Sequence, residues 1–206
     1  MSQKLLLIMT FGALPLSLLA QPKSEPLKSG DAIPDSALKT AADESVSLRK
    51  LVSEKPAVLI FYRGGWCPFC TAHLSELMDI EEQLTALGYQ IVAISPDIPE
   101  KFKETANDKS LSFTIYSDSA MTTAEAFGVA FRLDQATLER YKGYGIDLVA
   151  NSGGKNKDVL PVPAVFLTDK AGKVVFSYVN PDYRYRVPGK VLLAAAEAAL
   201  THEPKR

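Results

Sequence analysis

Cys67 and Cys70 are the only cysteines of the 206-residue chain, set in Trp66-Cys67-Pro68-Phe69-Cys70. Two thiols this close can close and reopen a small disulfide, the basis of dithiol redox chemistry. The apolar run Ala57-Val58-Leu59-Ile60-Phe61-Tyr62 precedes them and Gly64-Gly65 interrupts it, which places Cys67 at the start of a helix that follows a strand. Backbone N–H groups and the positive end of the helix dipole then favour a thiolate, so Cys67 is expected to ionise more readily. Cys70 lies about one turn further in, positioned to attack a mixed disulfide on Cys67 and release the product. Arg63 stands close enough to depress the Cys67 pKa, although a strand-end arginine with no special role fits equally; His73 reads as a surface residue of the helix.

The elements that position these residues follow from periodicity. From Pro68 onward Cys70, Leu74, Leu77, Ile80, Leu84 and Leu87 recur at three- and four-residue steps, and Gly88 follows, which predicts one helix of about five turns. Val46 to Leu51 alternates apolar and polar residues, and the unbroken run Ala57 to Tyr62 suits a central strand covered on both faces. Tyr89 to Ile94 and Phe113 to Tyr116 read as strands, with helices over Pro99 to Asn107 and Thr122 to Phe127. Ala164 to Thr168 and Val174 to Val179, joined by Asp169-Lys170-Ala171-Gly172, read as a hairpin before a last helix from Lys190 to Leu200. Parallel units followed by a hairpin and a helix give an α/β fold with a central mixed sheet flanked by helices. Residues Arg132 to Leu160, with a short helix around Ala136 to Tyr141, form a surface insertion that either shapes substrate access or is solvated filler. Tyr183-Arg184-Tyr185-Arg186 either borders the site or lies in a solvated turn.

Composition narrows the setting. At 47% hydrophobic and 23% charged residues the chain is an ordinary globular one, and a formal net charge of −1 offers no basic footprint for nucleic acid. Leu5 to Ala20 is an apolar run behind Lys4 and ahead of a polar segment, which reads as a signal peptide over residues 1–20 cleaved after Ala20; an uncleaved anchor is the alternative. Export to a periplasmic or extracellular compartment is expected, with no stable membrane span once the signal is removed. Residues 21–42, with their prolines and scattered charges, look like a loosely ordered lead-in, and one domain occupies 43–203. Outside the cytosol the thiols meet an oxidising environment, so the pair needs a redox partner.

The strand, Trp-Cys-x-x-Cys and helix, with Val162-Pro163-Ala164-Val165-Phe166 much later, resemble the thioredoxin fold over residues 44–200. More narrowly, Phe61-Tyr62-Arg63-Gly64-Gly65-Trp66-Cys67-Pro68-Phe69-Cys70 with Thr71-Ala72-His73-Leu74 resembles the peroxiredoxin-like branch of the alkyl hydroperoxide reductase and thiol-specific antioxidant family. The resemblance implies a peroxiredoxin-type N-terminal extension. It implies that Pro163 is a cis-proline facing the dithiol, that the Val162 backbone pairs with a bound thiol substrate, and that Trp66 helps to position it. Cys70 aligns with the peroxidatic cysteine of that family. The threonine or serine three residues before it is replaced by Cys67, and the family's strand arginine falls on or beside Pro163, so two groups that bind and polarise peroxide look absent. The thioredoxin strand carboxylate is also missing, since Leu59, Ile60 and Phe61 fill that strand.

The leading expectation is thus an exported thiol oxidoreductase acting by dithiol–disulfide exchange, with Cys67 as nucleophile. The alternative is a thioredoxin-dependent thiol peroxidase, with Cys70 peroxidatic and Cys67 resolving. Its substrates are protein or small-molecule thiols and disulfides, or peroxides, with a thioredoxin-like protein as redox partner and no cofactor. A metal module would need two ligands beyond the cysteines, and His73 and His202 are the only histidines, so no metal is expected. A structural disulfide closing so small a loop would stabilise little.

Overall fold

A computed structural model describes residues 25–103 and 111–201. The segment read as a signal peptide, the end of the helix expected to reach Asn107, and His202 lie outside the described residues. Among the described residues nine strands run in chain order: β1 Ala37–Lys39, β2 Ser45–Ser47, β3 Ala57–Phe61, β4 Gln90–Ser95, β5 Thr114–Ser117, β6 Ala130–Arg132, β7 Val159–Pro161, β8 Ala164–Thr168 and β9 Val174–Val179. Seven of them make one sheet in the order β2-β1-β5-β4-β3-β8-β9, and β6 and β7 form a separate antiparallel pair. β3, β4 and β5 are parallel while β8 pairs antiparallel with β3, with Ala57 opposite both Gln90 and Thr168, so the sheet is mixed as the pattern predicts.

β3 is buried along its whole length, as an unbroken apolar strand must be when both faces are covered. Its side chains alternate between two cores. Val58, Ile60 and Tyr62 meet one helical layer together with Cys67, Cys70, Leu74 and Leu77; Leu59 and Phe61 meet Leu38, Leu48, Val52, Phe127 and Phe166 on the other side. The alternation therefore decides which face of the sheet carries the dithiol.

The helices are α1 Leu48–Glu54, α2 Pro68–Met78, α3 Glu81–Ala86, α4 Thr122–Ala126, α5 Gln135–Gly143, α6 Leu148–Asn151 and α7 Gly189–Thr201, and residues 99–103 are also helical. The alternation at Val46–Leu51 does not continue as a strand, because Ser47 caps a helix by accepting from the Lys50 N–H. The long helix expected from Pro68 is broken after Met78. The Ile80 N–H bonds to the Leu77 carbonyl, and the next ladder starts from the Ile80 carbonyl to the Leu84 N–H. The break sets Ile80 and Glu76 against the first residue of α7, where Glu76 Oε1 accepts from the Gly189 N–H at 2.8 Å.

The lead-in is the clearest departure from expectation. Residues 25–42 are a strap tied to the domain: Gly30 and Ile33 donate to the Val174 and Gly172 carbonyls, and Leu27 donates to Phe127. Leu27, Ile33 and Leu38 are buried in the core that faces away from the dithiol. Burying three aliphatic side chains contributes about 1.5–3 kcal/mol each, and together with the backbone hydrogen bonds to the domain this holds a segment whose prolines and charges read as loose.

Candidate active site

The site begins where β3 ends. Gly64 sits at a φ of +129°, and a Cβ there would overlap the Trp66 indole, so only glycine fits. Asp97, buried just after β4, accepts from the Gly65 N–H at 2.9 Å and pins this turn. Cys67 is the N-cap of α2 in extended conformation, with Pro68 at N1, and its carbonyl accepts from the Cys70 and Thr71 N–H groups at 3.0 and 3.1 Å. Cys67 and Cys70 are joined in a disulfide with Cα atoms 5.2 Å apart, and both are about 1% exposed. The helix is complete from Pro68 with this bond in place, so closing the disulfide does not require the first turn to unwind.

A cation from the Tyr183–Arg186 cluster, which the sequence leaves open between the border of the site and a solvated turn, touches this pair. Arg186, from the loop between β9 and α7, places Nη2 3.2 Å from Cys70 Sγ. The guanidinium of the family's site, expected to be missing at or beside Pro163, thus has a counterpart from elsewhere, the Tyr183–Arg186 cluster. The pointer in the sequence was that this aromatic and basic cluster lies just ahead of the Pro188-Gly189 helix start. Burial, and then repulsion from Arg63, push the Arg186 guanidinium down to about 10, so it is charged at neutral pH.

Arg63 is not an exposed strand-end residue. It is 3% exposed, its guanidinium lies 4.0 Å over the Tyr183 ring and 5.2 and 5.6 Å from the Trp66 and Tyr141 rings, and Nη2 donates to the Tyr141 hydroxyl. Burial lowers its pKa. The insertion thus reaches the site through Tyr141 of α5, whose ring meets Trp66 edge-on at 5.5 Å. None of the ion pairs found among the described residues engages Arg63 or Arg186. The half-buried Arg186 guanidinium beside the sulfur favours the ionised form of a thiol there, and Arg63, which is buried, acts on Arg186 by repulsion.

His73 is 5% exposed, since three residues beyond Cys70 it shares the buried face of α2. Burial first, and the Arg186 charge second, lower its pKa to about 4, against the opposing influence of Glu76 and the Val187 backbone. Its Nε2 has no hydrogen-bond partner.

Val162 and Pro163 do not take the expected arrangement. No cis peptide bond occurs among the described residues, so Val162–Pro163 is trans. The Val162 N–H donates to the Val129 carbonyl at 2.6 Å, one residue beyond the β6–β7 pairing, and that donor is thereby committed. Trans is the ordinary state of an X–Pro bond. Pro163 is buried beside Arg186 and His73. Trp66 is half-buried beside the dithiol, under Arg63. Phe69, between the cysteines, is 42% exposed and meets Tyr183 edge-on at 5.7 Å.

The sequence model of the AhpC/TSA family matches residues 29–177. The chain is 34% identical to peroxiredoxin Bcp of Escherichia coli (strain K12) over 104 residues, which is 50% of this chain and 66% of that protein. It is 32% identical over 103 residues to the chloroplastic peroxiredoxin Q of Populus jackii, covering 50% of this chain and 48% of that one. The chain thus spans two thirds or less of the relatives it matches. Among solved structures, peroxidoxin BcpB from Mycobacterium tuberculosis superposes with a TM-score of 0.66 at 22% identity, over 84% of this chain and 97% of that one. Reduced Prx3 from Vibrio vulnificus in complex with H2O2 gives 0.67 at 18% identity, over 82% and 99%. These two likenesses establish a shared fold, the thioredoxin-like one. The chain belongs to the AhpC/TSA family.

Proposed function

We propose that the protein is an exported thiol peroxidase in which Cys70 is the peroxidatic and Cys67 the resolving cysteine. The observation that carries this reading is the contact between Arg186 and Cys70 Sγ. Both sulfurs lie at the positive end of α2, and the helix terminus supplies about 0.3–1 kcal/mol at each. A hydrogen bond to a charged partner supplies about 1.5–3 kcal/mol, or one to two pKa units, and the contact found here is to Cys70. The difference reverses the order of attack that helix placement alone implies.

The Cys70 thiolate attacks one peroxide oxygen, the O–O bond breaks, and the other oxygen leaves as an alcohol or water after taking up a proton. Cys70 becomes a sulfenic acid. The Cys67 thiol attacks that sulfur, water leaves, and the disulfide forms. A thioredoxin-type dithiol then reduces it. The relatives named peroxiredoxin support the peroxide substrate, and the apolar run Leu5–Ala20 supports export. The family's hydroxyl three residues before the peroxidatic cysteine is still replaced by Cys67.

A Cys67→Ser variant tests the order of attack. Expected is one fast turnover of hydrogen peroxide with a sulfenic acid trapped on Cys70. Loss of that turnover, with disulfide exchange retained by Cys70→Ser, would return the protein to a dithiol exchanger led by Cys67. N-terminal sequencing of the secreted protein checks cleavage after Ala20.

A further inference from the structure

His73 and Arg186 line the same small cavity behind the dithiol, with Tyr178, Pro163 and Val187 around them and room for about one water molecule. Two buried polar atoms, His73 Nε2 and Arg186 Nε, have no hydrogen-bond partner in the protein. Such atoms are rare in folded proteins and ask for an explanation. They are chemically complementary through a third party. A neutral imidazole can present Nε2 as an acceptor, and a guanidinium Nε–H is a donor. A single water that donates to His73 and accepts from Arg186 satisfies both.

We propose that His73 is a positioning residue for the reaction: through one water in this cavity it holds the Nε edge of Arg186 and so keeps Nη2 of the same guanidinium on the Cys70 sulfur. The proposal rests on the reading of Cys70 as the reacting thiol. The guanidinium is the bridge: Nη2 is on the sulfur, Nε is buried without a partner, and the residue lines the cavity. His73 suits the task because burial keeps its ring neutral, and therefore accepting, over the range in which thiols react. The groups that face it are Arg186 from the 180–188 loop, Glu76 on its own helix, Tyr178 of β9, and Cys70 one turn earlier. A protonated ring has no lone pair at Nε2 to accept from the water, and its charge repels the guanidinium.

The test is the ultraviolet thiolate titration of Cys70 in a Cys67→Ser background, comparing His73 with His73→Leu and His73→Gln. Leucine fills the space without an acceptor, whereas glutamine offers a carbonyl oxygen. Expected is a rise of about one unit in the Cys70 pKa with leucine, and recovery of most of that shift with glutamine. Identical titrations for histidine and leucine, or the same shift with both substitutions, would overturn the proposal. If His73→Leu fails to fold, His73→Met against His73→Gln carries the same contrast. An ordinary thiol pKa for Cys70 in the parent would instead remove the peroxidase reading, which separates the two failures.

Discussion

The β3–α2 turn and the β9–α7 loop meet at one sulfur, yet they are held by different means. The first is backbone held: Gly64 at positive φ, the Gly65 N–H on Asp97, and the Cys67 carbonyl bonded to two N–H groups of α2, with both sulfurs sealed from solvent. The second is largely exposed, with Tyr183 and Tyr185 at 40% and 61%. It is fixed at a few points: the Asn180 N–H on the Pro163 carbonyl, the Asp182 turn, and the Gly189 N–H on Glu76. The reacting atoms thus sit on the rigid element, while the charge that selects between them is delivered by the less covered one. Selectivity for Cys70 should be easier to lose than the fold.

The largest effect should come from deleting that charge. Arg186→Ala should slow peroxide consumption about 10²-fold and raise the Cys70 pKa by one to two units, while thermal unfolding changes little. Stopped-flow peroxide kinetics with the thiolate titration check this. If the rate is unchanged, the β3–α2 turn alone defines the nucleophile and the contrast between the two regions dissolves.

The same contrast explains what could be read in the chain. β3, the helix start at Pro68 and the hairpin of β8 and β9 are local patterns, an apolar run, a Pro at N1 and an Asp-Lys-Ala-Gly turn, and they appear where periodicity puts them. Arg186 lies 116 residues from Cys70, and its contact depends on how α7 docks, which no local pattern encodes. His73 reads as a surface residue because polarity outweighs register, and for Arg63 the sequence leaves burial and exposure open. His73 shares the inward face of α2 with Cys70, Leu74 and Leu77, and Arg63 is covered by rings from three separate segments. The lead-in deceived for the opposite reason: its three buried aliphatics are spaced too widely to form a periodic pattern.

Acid gives a second way to separate the regions. His73 has a folded pKa of about 4, below its ordinary value of 6.5, so its contribution is complete above pH 6.5 and is lost as pH falls toward 4. The loss amounts to at most about 3 kcal/mol. Asp118, buried at the start of α4 and raised to about 6 from 3.8, works in reverse: its contribution is complete below pH 3.8 and is lost as pH rises toward 6. The two offset each other across this window, so the wild-type chain should show a shallow acid profile. Asp118→Asn should unmask the histidine and steepen the loss on acidification, and His73→Leu should abolish it. Urea midpoints at neutral and mildly acid pH distinguish these outcomes, and parallel slopes in both variants would exclude His73 as the titrating group.

The smallest effect tests the link between the regions. Glu76 stands on α2 and caps the first N–H of α7, three residues beyond Arg186, so it ties the dithiol helix to the end of the loop that carries Arg186. Glu76→Ala should cost about 1 kcal/mol in urea unfolding, the usual value of a lost helix cap. It should also slow peroxide consumption a few-fold through Arg186 rather than through either sulfur. In an Arg186→Ala background the same substitution should then leave the rate unchanged while the stability cost persists. Additive rate losses in the double variant would mean that Glu76 acts on the dithiol helix itself, and that the Pro163 and Asp182 anchors suffice to hold Arg186 on Cys70.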